Sequence, residues 1–178
     1  MSQPLLTPAD IERAIRNIPD FPKPGIQFKD ITPVLADARL FSDSIDLLTE
    51  HFKPGSVDAI VGIDARGFIF AAAAAMKLQA GFVPVRKKGK LPYQTYEQQY
   101  GLEYGTATVA VHVDALKPGS RVLLIDDLLA TGGTSSAAAA LVQRLGAKIL
   151  EISFLIELSF LKGREKLKGY PVRSLVVF

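Results

Sequence analysis

The 178-residue chain contains no cysteine, which excludes disulfides, thiol nucleophiles and cysteine-based zinc sites. It also lacks a long hydrophobic run. The longest apolar stretch free of charge is Gly67 to Met76, which Lys77 ends, whereas a membrane span needs about 20 such residues. Excess charge of one sign is missing too. Twenty-one Lys and Arg stand against 18 Asp and Glu, and a net charge of +3 is too small to argue for nucleic-acid binding by bulk electrostatics. Before Asp10 there is neither a basic leader nor an apolar core of the signal-peptide kind, so a cytoplasmic protein is expected, with no nucleic-acid or membrane partner. No internal repeat, low-complexity linker or compositional shift divides the chain, so one domain over 1–178 is expected.

What is present is the composition of a folded domain, 48% hydrophobic and 22% charged. A chain of this length buries about 70% of its unfolded surface, which is enough for a core without staples. Thr7 and Pro8 start a helix that carries Ile11, Ala14, Ile15 and Ile18 at helical spacing, and Pro19 ends it. Residues 20–31 interleave Pro22, Pro24 and Gly25 with Phe21, Ile26 and Phe28, a loop that keeps apolar residues and so packs over something. A second helix aligns Phe41, Ile45, Leu48 and Phe52 and stops at Lys53-Pro54-Gly55.

Thereafter apolar strands alternate with helices. The strands are expected at Val57–Ile63, Gly81–Val85, Arg121–Ile125, within Lys148–Leu158 and at Val172–Val177. The helices are expected at Phe68–Gln79 and Ser135–Leu145, the latter capped by Gly146. This pattern predicts an α/β fold with a mostly parallel sheet flanked by helices. Residues 86–105 are glycine-rich and basic, without helical or strand period, and read as a flexible lid. Thr106–Val113 alternates as a half-exposed antiparallel strand.

The strongest chemical signal is Arg121 to Ser135. A buried strand ends in Asp126 and Asp127, and the small-residue loop Ala130-Thr131-Gly132-Gly133-Thr134 then enters a helix. In open α/β sheets ligands bind beyond the carboxyl ends of the strands. Bare amides at a helix N-terminus favour a phosphate. The pattern lacks the lysine of a P-loop and the spacing of the dinucleotide turn. Paired carboxylates accept hydrogen bonds only and suit vicinal hydroxyls, so acids followed by a phosphate cradle match a 5-phosphorylated ribose. The plainer alternative is a surface turn in which one aspartate caps the helix.

This segment resembles the phosphoribosyl-pyrophosphate (PRPP) motif of the type I phosphoribosyltransferases, and its form D-D-L-L-A-T-G-G-T is similar to that of the adenine-specific branch. Phe21-Pro22-x-Pro24-Gly25-x-x-Phe28-x-Asp30 is similar to that branch's base-binding segment, and Asp64-Ala65-Arg66-Gly67-Phe68 to its pyrophosphate loop. Arg86 to Pro92 and Leu102 to Gly105 are similar to the two ends of its lid.

The resemblance implies the type I fold, with an N-terminal hood over 1–35, and purine salvage in which adenine and PRPP give AMP and pyrophosphate. It implies that Asp126 and Asp127 hold the ribose hydroxyls and that Ala130 to Thr134 hold the 5-phosphate. Arg66, Arg86, Lys87 and Lys90 would meet pyrophosphate. Ile26, Gln27, Phe28 and Lys29 would meet adenine, with Lys29 standing where relatives often carry arginine. Glu103, with Arg66, would be catalytic, the carboxylate handling the purine proton. Mg²⁺ would arrive on the substrate, with no dedicated metal ligands, and a homodimer is implied. Another purine or a pyrimidine as acceptor, or a regulatory module without turnover, are the competing readings. His51 and His112 form no ligand cluster and receive no role.

Overall fold

The computed structural model describes residues 4–101 and 105–178. The chain forms two compact units divided after Leu48.

In the first unit, helix α1 (Pro8–Ala14) is capped by Thr7 and Asp10, whose side chains each bond the other's backbone N–H. The helix stops at Ala14 rather than continuing to Ile18. Residues Arg16–Pro19 (β1) instead pair antiparallel with Gln27–Asp30 (β2), with Ile18 opposite Phe28. A short α2 (Thr32–Ala36), with proline in its first turn, precedes α3 (Ala38–Leu48). Ile11, Ile15, Ile31, Val34, Ile45 and Leu48 are buried.

The second unit is a seven-stranded sheet. Its strands are β3 (Ala59–Ile63), β4 (Gly81–Lys87), β5 (Thr95–Gly101), β6 (Thr106–His112), β7 (Arg121–Leu129), β8 (Lys148–Glu157) and β9 (Val172–Val177). Their order is β5-β6-β4-β3-β7-β8-β9. The run from β4 to β9 is parallel, as the apolar strands imply, while β6 joins β4 and β5 joins β6 in antiparallel pairs.

The central strand β3 is buried along its whole length. It leads into α4 (Gly67–Leu78), which buries Phe70, Ala71, Ala74, Ala75 and Leu78 at helical spacing. Strand β7 leads into α5 (Gly133–Arg144), followed by Gly146 at φ +77°, the left-handed turn that ends the helix. Two 3₁₀ turns, Ser159–Leu161 and Gly163–Leu167, connect β8 to β9. Aliphatic residues of β3, β4, β6, β7 and β8 and the small face of α5 make one core, including Val61, Val85, Val111, Leu124 and Ala138.

One expectation is corrected here. Residues 86–105 are not without strand, because β4 runs to Lys87 and all seven residues of β5 pair with β6. The polar Glu97, Gln98 and Gln99 hide the period, and the non-local pairing supplies what the local pattern lacks. No described helix is long and apolar enough to cross a membrane.

Candidate active site

The acid pair lies inside β7, not beyond it. The strand continues past Ile125 to Leu129 because its pairing with β8 continues, with Leu128 opposite Ile156 and Leu129 opposite Glu157. Asp126 and Asp127 are both buried. The backbone N–H of Asp127 donates to Asp126 Oδ1 at 2.9 Å. Burial, then the neighbouring Asp127 charge, pushes the Asp126 carboxyl well above the usual carboxylate range. Burial raises Asp127 too, opposed by the Arg66 guanidinium.

That guanidinium comes from the turn after β3. Arg66 Nε lies 2.7 Å from Asp127 Oδ2, so the turn quoted from the sequence as Asp64-Ala65-Arg66-Gly67 meets the acid pair directly. The peptide bond Asp64–Ala65 is cis. Gly67 packs on the other acid, because a Cβ there would stand 2.5 Å from Asp126 Oδ1. Arg86 joins the same turn, its Nε donating to Asp64 Oδ2 at 3.1 Å and its NH1 to the Lys90 carbonyl at 3.1 Å. Lys87 and Lys90 are exposed, and neither has an ion-pair partner among the described residues. Lys88 instead pairs with Glu97 at 2.7 Å.

Downstream of the acids, Asp126, Leu128 and Ala130 to Ser135 line a small cavity of about 70 Å³. Gly132 opens α5 in a left-handed conformation, φ +74°. No side chain caps the first turn of α5 among the described residues, and amides at an uncapped helix N-terminus favour an anion. The cavity therefore runs from the buried Asp126 to the first turn of α5.

In the N-terminal unit, Ile26 and Gln27 are exposed, while Phe28 and Lys29 are half-buried. The Phe28 ring meets Phe21 edge-on at 5.1 Å. Lys29 Nζ donates to Asn17 Oδ1 at 2.6 Å, across the β1–β2 pair. Glu103 lies outside the described residues.

Sequence reading missed several participants. Leu128 and Ser135 complete the cavity wall. Tyr100 of β5 packs on the cradle, 3.0 Å from where a Gly133 Cβ would stand, and Gly163 packs against Gly132. A glycine beside Arg66 was a readable sign of close approach, whereas nothing local marks Tyr100 or Gly163.

The donor set also bears on Mg²⁺. Among the described residues no three His, Asp or Glu side chains gather as a metal site, and Asp127 is held by Arg66. Carboxylate oxygens of this kind suit a cation carried on substrate phosphates that keeps much of its water.

Comparison with known proteins identifies the family. The phosphoribosyl transferase domain profile matches residues 30–175. The chain is 57% identical over 175 residues to the adenine phosphoribosyltransferase of Acidothermus cellulolyticus, covering 96% of this chain and 99% of that one. It is 54% identical to the Chloroflexus aurantiacus enzyme of the same name, covering 97% and 100%. The crystal structure of adenine phosphoribosyltransferase from Thermoanaerobacter pseudethanolicus superposes with a TM-score of 0.92 at 53% identity, covering 97% of this chain and 100% of that one. The Trypanosoma brucei enzyme, solved with AMP, pyrophosphate and ribose-5-phosphate, gives a TM-score of 0.88 at 26% identity, covering 98% and 80%. With the domain match over most of the chain and relatives above 50% identical along nearly its whole length, the chain belongs to the adenine phosphoribosyltransferase family of type I phosphoribosyltransferases.

Proposed function

We infer that the protein transfers the 5-phosphoribosyl group of PRPP to adenine, releasing AMP and pyrophosphate, the reaction of purine salvage. The observation that carries this reading is the buried pair Asp126–Asp127, with Asp127 held by Arg66 at 2.7 Å and Asp126 lining the small cavity formed with Ala130 to Ser135. The chemistry is displacement at the anomeric carbon, where positive charge grows on the sugar as the diphosphate leaves. The protein must hold the ribose, stabilise the departing anion and exclude water.

Each group then has a task. Asp126 and Asp127 accept hydrogen bonds from the ribose 2- and 3-hydroxyls, an assignment supported by their burial within β7 beside the Arg66 turn. The amides and hydroxyls of Ala130 to Thr134 hold the 5-phosphate. Arg66 donates to the diphosphate, for which its planar fork is suited, and Arg86, Lys87 and Lys90 add positive charge there. Mg²⁺ would arrive with PRPP and supply charge neutralisation to the leaving group, with no dedicated ligands from this chain. Phe28 offers a ring face to adenine, and the main chain of Ile26 to Lys29 offers its donors and acceptors to the purine edge. Glu103 takes up the purine ring proton as the new bond forms. The polar segment that follows β4 would help exclude water from the reacting centre.

Self-association belongs to the same reading. Ile69 and Met76 lie seven residues apart on one face of α4 and are exposed, as is Phe82 of β4, and exposed apolar side chains of this kind would suit a second copy of the chain. A cytoplasmic location follows from a substrate whose phosphates keep it from crossing bilayers.

The test is direct. Purified protein given PRPP, Mg²⁺ and each of adenine, hypoxanthine, guanine, xanthine and uracil is expected to form AMP and little else. Another nucleotide in place of AMP overturns the adenine assignment, and PRPP binding without turnover on any base overturns the catalytic one.

A further inference from the structure

The loop read as the 5-phosphate cradle does not stand alone. Its glycine, Gly132, is backed by Gly163, a residue 31 positions later in the 3₁₀ turn after β8. A Cβ on Gly132 would lie 3.1 Å from the Gly163 carbonyl carbon and closer still to its oxygen. A Cβ on Gly163 would lie 2.9 Å from Leu129 Cδ1 and 3.1 Å from Gly132 N, and would collide with the Ala130 oxygen. Two backbones therefore meet with no side chain between them. Such an approach fixes the path of both segments, because close-packed interiors transmit displacement.

The turn carrying Gly163 is itself pinned by its next residue. Arg164 Nε donates to both carboxylate oxygens of Glu157 at 2.8 Å, and its NH2 lies 2.7 Å from Oε2. NH1 donates to the Val172 carbonyl at 2.8 Å, and Ser174 Oγ donates to Glu157 Oε2 at 2.7 Å. Glu157 is buried at the end of β8, opposite Leu129, the residue before the cradle begins. Burial would raise its carboxyl, but the bonds from Arg164 and Ser174 outweigh that and hold it below its ordinary value.

We propose that Arg164, Glu157 and Ser174 form a brace that holds Gly163 against Gly132 and so sets the shape of the 5-phosphate cradle, making Arg164 a positioning residue for the phosphate end of the substrate. None of the three needs to touch the ligand. The proposal rests on reading Ala130 to Thr134 as the 5-phosphate site, and the experiment keeps the two separable.

Calorimetry on the full chain measures ribose 5-phosphate and inorganic pyrophosphate separately, in the parent protein, R164A, S174A and the cradle variant T134V. Loosening the brace removes bonds to a charged group, so R164A is expected to weaken ribose 5-phosphate by about 10-fold and to leave pyrophosphate within about 2-fold. S174A, which keeps the arginine, is expected to weaken ribose 5-phosphate by about 3-fold and provides the test if R164A does not fold. General loosening of the protein would weaken both ligands together, and that result overturns the proposal. So does unchanged ribose 5-phosphate affinity in folded R164A, or in S174A where R164A does not fold, while T134V binds more weakly. If T134V also binds ribose 5-phosphate like the parent, the cradle reading itself fails and the brace with it.

Discussion

Replacing Gly67 by alanine adds a single methyl group, and two effects of opposite sign compete over it. Gly67 opens α4, where alanine is favoured over glycine by about 1 kcal/mol. Its φ lies outside the left-handed region, so the backbone itself accepts a side chain. On helix propensity alone, G67A is a stabilising change. The surroundings decide otherwise. The new Cβ would stand 2.5 Å from Asp126 Oδ1, 3.1 Å from Asp126 Cα and 3.2 Å from the Ile125 oxygen, where ordinary contact begins at 3.4 Å. The first gap falls short by about 0.9 Å, and the obstacles belong to a short side chain and the backbone of a central buried strand. Neither can yield as the tip of a lysine would.

Overpacking of this kind costs about 1–3 kcal/mol, which cancels or exceeds the helical gain. At roughly 2–4 °C per kcal/mol for a chain of this size, Tm is expected to fall by about 0–8 °C. The effect on catalysis is larger. Moving a substrate-gripping carboxylate by about 1 Å lowers the rate about 10²-fold, or about 2.7 kcal/mol of transition-state stabilisation. Labelled adenine converted to AMP at varied PRPP gives kcat/KM, and a thermal melt gives Tm. A variant with parental kcat/KM and a Tm raised by a few degrees refutes the argument, since Gly67 would then be an ordinary helix glycine.

Other consequences are independent of that clash. Asp126 has its carboxyl pKa raised by burial and by the Asp127 charge, so the folded state holds a proton more tightly than the unfolded chain does. Its contribution to stability is complete below the unfolded value of about 3.9 and is lost as pH rises through the folded value. D126N is therefore expected to raise Tm by about 1–8 °C at pH 7.5 while abolishing most activity, with the gain shrinking toward pH 4. A Tm gain that does not vary with pH would contradict this. F28A is expected to raise KM for adenine by about 10-fold, the value of one base stack, while F28Y keeps it near parental. Equal KM values in all three proteins remove Phe28 from the base site. E103Q is expected to lower kcat by about 10²–10⁴-fold with PRPP affinity nearly unchanged, and parental turnover removes its role as base.

The sequence made some of this legible because certain signals are local. The apolar run of β7 followed by two aspartates and a glycine-rich helix entry needs no tertiary knowledge to read; both acids are buried, and Asp126 lines the cavity at that helix entry. Helix α1 was harder. Its apolar spacing runs on to Ile18, but the hairpin with β2 claims Arg16 to Pro19, so tertiary pairing overrides the helical period. Strand β5 escapes for the same reason in reverse, being a polar edge strand whose order comes from β6 and from Tyr96 and Tyr100 packed on the core. Close approaches such as Gly163 on Gly132 join residues far apart in the chain, and no window of sequence contains them.

Adjacency of the two aspartates has a structural consequence that spacing alone does not express. Successive strand residues point to opposite sides, so a tandem acid pair cannot aim both carboxylates the same way without help from outside the strand. The β3–α4 turn supplies that help on both sides at once. Arg66 engages Asp127 at 2.7 Å, and Gly67, lacking a side chain, leaves room for Asp126. One tripeptide, Ala65-Arg66-Gly67, thus carries the charge that steadies one acid and the space that admits the other. Two acids buried side by side cost stability, a cost that the proposed grip on two ribose hydroxyls would explain. Arg66 thus offsets the charge of Asp127, and in the reaction proposed above the same guanidinium would also serve the departing diphosphate. Loss of Arg66 would therefore expose the acid pair to its own repulsion as well as weaken the hold on the leaving group, and the two effects fall on one step.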